Sequence, residues 1–317
     1  MQKKRQFSSF LLIAFLLLLG VSGYWIFSNN GIEGRRFNLK VAADTLAIKY
    51  GQEKNQYGRL IKNFMYDCDF YHFSDFSASA AGINESTGIP RYCYNRGATE
   101  RNAIFLWGDS HAQMLYYGLV KNLSSNKVLY QVSRAACKPA IAKTADPMCN
   151  KTNAFALQEI AYLKPAIVIV AQRDSWDQNA VKDISSKLSA LGVRKILFLG
   201  KSPEWKANLP KIILRKYWID TPKRSYADLD ATSDATDRAA KVFVNASPNS
   251  QFIDLKEYFC NEVGCLVYLG DSPMEGLTSL DGNHLSPIAS DDIAKNLLLP
   301  MIFGDTKSAP ISKAVIQ

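Results

Sequence analysis

A short polar stretch, Gly108-Asp109-Ser110-His111, follows the apolar run Ala103 to Trp107 and precedes a segment with helical spacing. A serine at the start of a helix can attack a carbonyl carbon, and its own backbone N–H can stabilise the oxyanion that forms. Its hydroxyl needs a base to act as a nucleophile. The stretch therefore predicts a nucleophile at Ser110. An ordinary polar turn is the alternative, because Gly, Asp and Ser are common in turns.

The base is expected to be one of three histidines, His72, His111 and His284. His111 adjoins Ser110 in the chain, so its side chain leaves the backbone in a different direction. His72 lies in an irregular, aromatic-rich segment, where packing among aromatic rings is the simpler role. His284 is therefore the predicted base, and a surface loop with a lone histidine is the alternative.

A carboxylate three residues before His284 strengthens this prediction. Asp281 lies in the stretch LDGNHLSP, where Ser286 and Pro287 are typical of the cap and first turn of a helix. One turn of loop would place the carboxylate beside the imidazole, where it fixes the tautomer and stabilises the charged ring. The sequence thus predicts that Ser110, His284 and Asp281 act as nucleophile, base and orienting carboxylate.

Apolar runs indicate the elements that must position these residues. Five β-rich runs alternate with helix-length segments: AIFLW from 103, KVLYQV from 127, AIVIVA from 166, KILFLG from 195 and QFIDL from 251. Such unbroken runs are typical of a parallel sheet covered on both faces. We predict a three-layer α/β/α domain, flavodoxin-like, over residues 101–317, with a central parallel sheet of about five strands. Ligands bind at the carboxyl ends of such strands, and Ser110 follows the first of them.

The N-terminus has the pattern of a membrane segment. Basic Lys3, Lys4 and Arg5 precede an uncharged run from Phe10 to Phe27, close to the ~20 residues with which a helix crosses a bilayer. Basic flanks stay in the cytoplasm, so residues 1–28 are predicted to be a single-pass anchor with the remaining chain on the outer side. A signal peptide cleaved near Val21 to Gly23 is the alternative. Apolar residues beyond that site favour the anchor.

Residues 29–100 are predicted to form a membrane-proximal extension, with one helix from Thr45 to Phe64. The six cysteines of the chain agree with an oxidising compartment. They lie in three sequence-local pairs, so we expect the disulfides Cys68–Cys93, Cys137–Cys149 and Cys260–Cys265, although six cysteines allow other pairings. No C-x-x-C spacing is present and histidines are few, so neither a metal nor another cofactor is expected.

The net charge of +9 and the pI of about 9.1 raise the question of nucleic-acid binding. The Lys and Arg residues are scattered, however, and no zinc-finger or glycine-rich aromatic RNA-binding pattern accompanies them. Nucleic acid is therefore not an expected partner. Attraction to an anionic membrane or glycan surface fits the charge better.

The two motifs together resemble the SGNH, or GDSL, hydrolase superfamily, whose first and last sequence blocks are a strand-terminal GDS and a D-x-x-H before the final helix. The resemblance covers roughly Ala103 to Phe303. In detail the chain is most similar to the periplasmic SGNH domain attached to membrane acyltransferases of the acyltransferase-3 type. The stretches that carry this likeness are LWGDSHA, CKP with a later cysteine, GKSPEW, YFCNEVGC, DGNHLSP and, after the predicted anchor, NNGIEGRRF.

The resemblance implies O-acylation, usually O-acetylation, of cell-surface or periplasmic glycans such as lipopolysaccharide in bacteria. It implies the same three roles for Ser110, His284 and Asp281. It also implies a place in the cell, the bacterial inner membrane with the catalytic domain in the periplasm.

The resemblance implies an oxyanion hole that this sequence fills in an unusual way. Besides the N–H of Ser110, the second superfamily block normally supplies a glycine N–H. Here that block is VSRAACKP, in which Ala135 or Ala136 could donate. The third block normally supplies an asparagine, and Arg173 in VAQRDSW stands at its position. Arg173 would act as a cationic donor or, alternatively, form a salt bridge with Asp174 or another carboxylate.

Three functions of different classes fit these observations. The first is a transferase that passes an acyl group through an acyl-serine to a hydroxyl of a glycan acceptor, and the second is a membrane-anchored carbohydrate esterase. The third is an idle module that binds glycan or scaffolds a complex. One membrane segment is too little to carry an acyl donor across a bilayer, so the transferase requires a separate multi-helix membrane partner. Asp109, His111 and Trp176 are expected to line the substrate pocket, with a core position as the alternative for Trp176.

Overall fold

The computed structural model describes residues 2–28, 71–73, 83–85, 103–217, 220–230, 234–273, 276–279 and 281–304. Two units are present, Met1–Lys49 and Tyr50–Gln317. The helix expected from Thr45 to Phe64 and the Cys68–Cys93 disulfide lie outside the described residues. The predicted division of the chain at residues 28 and 100 stays a prediction.

The first unit contains helix α1 (Gln2–Ser28), which forms over the basic start and the apolar run of the N-terminus. Within the ranges that the structure describes, none of the helices is both long and apolar enough to cross a membrane. The N-terminal segment is thus helical, and the membrane span predicted for it is not shown.

The second unit alternates strands and helices along the chain. Its described elements are, in order, β1 (Tyr71–Phe73), β2 (Ile83–Glu85), β3 (Ala103–Gly108), α2 (Ser110–Asn122), β4 (Val128–Ser133), α3 (Pro147–Leu163), β5 (Ile167–Ala171), α4 (Gln178–Ala190), β6 (Lys195–Leu199), α5 (Leu209–Ile212) with a π turn (Ile213–Tyr217), β7 (Arg224–Ser225), α6 (Asp234–Asn245), β8 (Ser250–Ile253), α7 (Leu255–Phe259), β9 (Cys260–Asn261), β10 (Gly264–Leu266), α8 (Pro287–Ile293) with a π turn (Ala294–Leu298), and α9 (Leu299–Phe303).

Five strands form the central sheet in the order β4-β3-β5-β6-β8, and all neighbours are parallel. They are the five strands that the apolar runs predict. Their order exchanges the first two strands relative to the chain, which is the flavodoxin-like arrangement. The sheet therefore reverses its direction of winding between β3 and β5. Ligands of such sheets bind in the crevice at this reversal.

Two hydrophobic cores, one on each face of the sheet, explain why the strands are continuously apolar. Ile104 and Leu106 of β3 face a core shared with α2, α7, α8 and α9. Phe105 and Trp107, which alternate with them, face a core shared with α3, α4 and α6. All four side chains are at most 2% exposed. The predicted three-layer α/β/α architecture is confirmed.

Helix α2 packs closely on α8 because Gly118 has no side chain. A Cβ at Gly118 would lie 1.9 Å from the Ser290 carbonyl oxygen, and the Gly118 N–H donates to Ser290 Oγ over 3.1 Å. This contact joins the helix that begins at Ser110 to the helix that begins shortly after His284. The fold thereby brings together two segments that are far apart in the sequence.

Two disulfides close short loops of the second unit. Cys137–Cys149 joins the loop after β4 to the first turn of α3. Cys260–Cys265 joins β9 to β10 within a three-stranded antiparallel sheet of order β7-β10-β9. Both pairings are those predicted from sequence-local pairing. Closing loops of this kind typically stabilises a fold by about 2–4 kcal/mol.

Candidate active site

Ser110 is the first residue of α2 and stands two positions after the end of β3. The turn between them requires Gly108, because a Cβ there would lie 1.9 Å from the Ala171 carbonyl oxygen of β5. As the first helical residue, Ser110 has a backbone N–H without a carbonyl partner inside the helix. The serine therefore lies at the winding reversal of the sheet, at the positive end of the helix dipole.

The structure brings Ser110, His284 and Asp281 together, although the serine and the histidine are 174 residues apart. Ser110 Oγ lies 2.8 Å from His284 Nε2, and His284 Nδ1 lies 2.6 Å from Asp281 Oδ2. Both are hydrogen-bond distances. In this arrangement an imidazole held by a carboxylate can take the proton of a serine hydroxyl.

The Asp281 carboxylate is ionised and directs the His284 ring. Its Oδ1 accepts hydrogen bonds from the backbone N–H groups of Asn283 and His284, each over 2.8 Å. Burial raises the pKa of Asp281, but the hydrogen bond and charge of His284, with these N–H donors, outweigh it and hold the pKa at about 2. An ionised Asp281 accepts from Nδ1–H, which leaves Nε2 to accept from the hydroxyl of Ser110.

The loop that carries His284 is held by the loop after β6. The Trp205 N–H donates to the Gly282 carbonyl oxygen over 2.6 Å. Ser202, which is fully buried, donates its hydroxyl to the Asn283 carbonyl oxygen over 2.7 Å. Ser202 and Trp205 lie in the stretch GKSPEW, which carries part of the family likeness. Their contacts with the loop of His284 were not predicted, because each contact joins segments that are distant in the chain.

Asp109, predicted to line the substrate pocket, is instead a buried residue that holds the backbone around Ser110. Its carboxylate accepts from the N–H of His111 over 2.7 Å, which caps α2. It also accepts from the N–H of Arg173 over 2.9 Å, which fixes the loop after β5. Burial raises the pKa of Asp109 to about 6 against the opposing effect of these two donors. Asp109 therefore shapes the turn that presents Ser110.

His111, also predicted to line the pocket, is likewise buried, with 2% of its surface exposed. Its ring packs against the ring of His284, with centroids 4.9 Å apart and planes inclined by 44°. Its Nε2 has no hydrogen-bond partner among the described residues. Burial, reinforced by the charges of His284 and Arg173, lowers the pKa of His111 well below its usual range, so this ring is neutral at pH 7. A neutral ring in this place can orient His284 by packing.

His111→Ala is expected to lower the turnover of a small acetyl ester, because the His284 ring loses the surface against which it rests. The cavity left behind should also lower the free energy of unfolding by about 2–5 kcal/mol. His111→Phe keeps a flat ring against His284 and should recover most of the lost turnover. Hydrolysis of p-nitrophenyl acetate and a thermal melt of each variant measure both effects. An unchanged kcat in folded His111→Ala would contradict the orienting role.

Arg173 forms a salt bridge, which was the alternative role predicted for it. Its Nε donates to Glu204 Oε1 over 3.1 Å, and 55% of its side chain is exposed. Asp174 pairs with Lys138 instead, over 2.5 Å. The contact of Arg173 with the residues around the serine is made by its backbone N–H, which donates to Asp109.

Trp176 lies in the core, the second of the two places expected for it. Its side chain is 5% exposed, and its Nε1 donates to the Leu199 carbonyl oxygen over 2.8 Å. Its ring meets Phe198 edge-on, with centroids 4.9 Å apart. Trp176 therefore packs against the sheet and does not line a pocket.

The loop after β4 contains a residue in the left-handed conformation, Ala136, with a φ of 59°. The Cys137 N–H donates to the Arg134 carbonyl oxygen over 3.0 Å and closes the turn, and the Arg134 N–H donates to the Gly108 carbonyl oxygen over 3.1 Å. The turn is thus tied to the end of the strand that precedes Ser110. A positive φ favours glycine. Of the two alanines considered for the oxyanion hole, Ala136 holds the backbone conformation typical of glycine.

A flavodoxin-ordered sheet with a serine after its first strand and an Asp-x-x-His before its last helices defines the SGNH class of hydrolases and acyltransferases. The family model of the SGNH domain fused to AT3 domains matches residues 74–298. Because the match spans more than half of the chain, the chain belongs to this family. The resemblance stated from the sequence is confirmed.

A solved structure supports the fold. The periplasmic domain of a lipopolysaccharide acetyltransferase from Salmonella ser. Paratyphi A is similar over 79% of this chain and 96% of that domain, with a TM-score of 0.62 and 23% identity. A protein from Slackia heliotrinireducens described as an SGNH hydrolase covers 63% of this chain and 99% of its own, with a TM-score of 0.40 and 18% identity. No curated protein sequence matches the chain.

Proposed function

We propose that this chain is an extracytoplasmic serine acyltransferase, which passes an acyl group, of which acetyl is the first candidate, through Ser110 to a hydroxyl of a glycan. The observation that carries the proposal is the continuous hydrogen-bond chain from Ser110 Oγ through His284 to Asp281. Family membership supports it, because the family model describes SGNH domains fused to AT3 domains. The Salmonella domain supports a glycan acceptor through its likeness in fold.

In the first half-reaction, Ser110 Oγ attacks the carbonyl carbon of the acyl donor while His284 Nε2 takes the hydroxyl proton. The ionised Asp281 stabilises the imidazolium that forms. When the tetrahedral intermediate collapses, the bond to the donor's leaving group breaks, and His284 returns its proton to that group. The product is an acyl ester on Ser110 and a neutral His284.

The oxyanion of the intermediate would be held by backbone N–H groups. The first is the N–H of Ser110, which lies at the start of α2. The second would come from the turn of residues 134–137, where we propose Ala136 in preference to Ala135, because its φ of 59° is that of a glycine position. Arg173 would act through its backbone contact with Asp109, since its guanidinium is bound by Glu204.

In the second half-reaction, His284 takes the proton of an acceptor sugar hydroxyl, whose oxygen attacks the acyl carbon. The bond between the acyl carbon and Ser110 Oγ then breaks, and His284 returns the proton to Ser110 Oγ. We propose that the acyl donor reaches this site from a multi-helix membrane partner in the inner membrane, with the catalytic domain in the periplasm. The AT3 domains named in the family description support a partner of this kind.

A carbohydrate esterase is the second candidate, and the exposure of the base favours it. The His284 side chain is 27% exposed and that of Asp281 is 37% exposed, so water can reach the acyl-serine as well as a sugar can. The same three residues would then hydrolyse the ester. Only the acceptor distinguishes the two functions.

One experiment separates these functions. The full chain is mixed with p-nitrophenyl acetate in the presence and absence of methyl glycosides, and the products are analysed by mass spectrometry. A transferase yields an acetylated glycoside and an acetyl group on the peptide that contains Ser110. An esterase yields free acetate and leaves the glycosides unmodified. If either set of products forms but rapidly quenched samples contain no acetyl group on Ser110, the proposal is contradicted.

A further inference from the structure

The stretch GKSPEW has no role in the mechanism proposed above. It begins directly after Leu199, the last residue of β6, and leads into α5, which begins at Leu209. Residues 200–209 are here called the β6–α5 segment. Trp205 and Leu209 anchor this segment in a small hydrophobic core that also contains Leu277. The β6–α5 segment is therefore packed into the fold beside the loop that carries His284.

Three consecutive carbonyl groups of the loop that carries His284 accept hydrogen bonds from the β6–α5 segment. Residues 281–283 present their carbonyl oxygens, in order, to Leu209, Trp205 and Ser202. The N–H groups of Leu209 and Trp205 donate over 2.8 and 2.6 Å, and the hydroxyl of Ser202 donates over 2.7 Å. Any residue other than proline has a backbone N–H, so only the third contact depends on the type of residue that makes it.

The contact of Ser202 reaches the Asp281 carboxylate through one peptide group. The carbonyl oxygen that accepts from Ser202 belongs to the peptide bond between Asn283 and His284. The N–H of the same peptide group donates to Asp281 Oδ1 over 2.8 Å, and Asp281 Oδ2 lies 2.6 Å from His284 Nδ1. A rotation of this peptide group would therefore move the carboxylate relative to the imidazole.

Burial makes the Ser202 hydroxyl hard to replace. Ser202 is 0% exposed, so it cannot touch a substrate. Without its hydroxyl, the Asn283 carbonyl oxygen would lose this donor, and a buried acceptor without a donor is unfavourable. The peptide group can avoid this cost by turning towards water, because the side chains of His284 and Asp281 are partly exposed.

We propose that Ser202 is a positioning residue for the base of the reaction. Its hydroxyl fixes the peptide group between Asn283 and His284, which holds Asp281 against His284 Nδ1 and keeps Nε2 directed at Ser110. The inference rests on the proposed function, because it concerns the base of that reaction.

Ser202→Ala in the full chain is expected to lower kcat for p-nitrophenyl acetate by about tenfold to a hundredfold, because small displacements of reacting groups have effects of this size. KM should change little, since Ser202 does not touch the ester. Ser202→Thr keeps the hydroxyl and should recover most of the lost kcat.

Ser185→Ala is the matched control. Ser185 is also 0% exposed, and its hydroxyl bonds to that of Ser250 over 2.8 Å. Ser250 is the first residue of β8, so this contact lies at the opposite edge of the sheet from Ser110. Ser185→Ala should lower the melting temperature, as Ser202→Ala does, and keep the kcat of the parent.

A proton NMR signal reports the same contact without turnover. The proton that His284 Nδ1 donates to Asp281 gives a resonance far downfield, which is identified by its absence in Asp281→Asn. At low temperature this resonance should be sharp in the parent and in Ser185→Ala. Ser202→Ala should broaden it, because the proton exchanges faster with water once the carboxylate is no longer held.

Gly282→Ala disturbs the contact from the other loop and decides the test should Ser202→Ala not fold. A Cβ at Gly282 would lie 3.1 Å from the Trp205 carbonyl oxygen, which is closer than ordinary van der Waals contact. The methyl group should push the two loops apart. A smaller loss of kcat and the same broadening of the resonance are expected.

The outcomes separate this inference from the proposed function. In a parent that hydrolyses the ester, a folded Ser202→Ala that keeps either the kcat or the sharp resonance of the control would show that Ser202 does not position the base. Gly282→Ala is judged in the same way where it takes the place of Ser202→Ala. A parent that hydrolyses no acetyl ester would contradict the proposed enzyme, and loss of its sharp resonance in Ser202→Ala would still uphold the positioning of His284.

Discussion

Ser110→Ala is expected to reduce hydrolysis of p-nitrophenyl acetate by a factor of about 10⁴ to 10⁶ while the protein stays folded. The substitution removes the only atom that forms the acyl bond, and neither His284 nor the oxyanion donors can replace it. Ser110 Oγ supports no core: its contact is the 2.8 Å hydrogen bond to His284 Nε2. We therefore expect the free energy of unfolding to change by no more than about 1 kcal/mol.

A matched serine makes this prediction specific. Ser124 is exposed in the loop after α2, where its hydroxyl bonds to Asn126 over 2.8 Å. Ser124→Ala should keep the parent rate and melting temperature. If folded Ser110→Ala hydrolyses the ester as fast as Ser124→Ala, the serine mechanism is wrong, and the idle glycan-binding module becomes the better description of the chain.

The sheet could be predicted from sequence because its strands carry a strong local signal. The run from Ala103 is buried along its whole length and is apolar without interruption. Most of the other runs carry the same signal with a few polar residues, such as Gln131 of β4. The three short strands β7, β9 and β10 were missed, because segments of two or three residues have no periodicity to detect.

The candidate triad could be predicted in type but not in geometry. Ser110 and His284 were chosen from the chemistry of their short motifs, whereas their 2.8 Å contact depends on the close approach of α2 and α8 at Gly118. The expected pocket positions of Asp109 and His111 follow from their nearness to Ser110 in the chain. An aspartate directly before a helix is a typical cap, and that signal could have indicated the role of Asp109.

Asp281→Asn is expected to lower kcat/KM for the same ester by a factor of about 10⁴. The carboxylate fixes the tautomer of His284 by accepting from Nδ1–H over 2.6 Å. The asparagine amide can instead donate from its NH₂ group to Nδ1 of His284. The ring proton then lies on Nε2, which loses the lone pair that must accept from the Ser110 hydroxyl. Asp291→Asn is the control, because Asp291 makes a surface ion pair with Lys121, worth about 0–1 kcal/mol.

The pH dependence of stability tests the same carboxylate independently of turnover. The pKa of Asp281 falls from 3.8 to about 2 on folding, so its ionised form stabilises the fold fully above pH 3.8, and this contribution disappears as the pH falls through about 2. The melting temperature of Asp281→Asn should therefore lie below that of the parent at neutral pH, and the gap should close between pH 4 and pH 2. A gap that stayed constant over this range would show that the substitution disturbs packing. The loss of turnover could then no longer be assigned to the tautomer of His284.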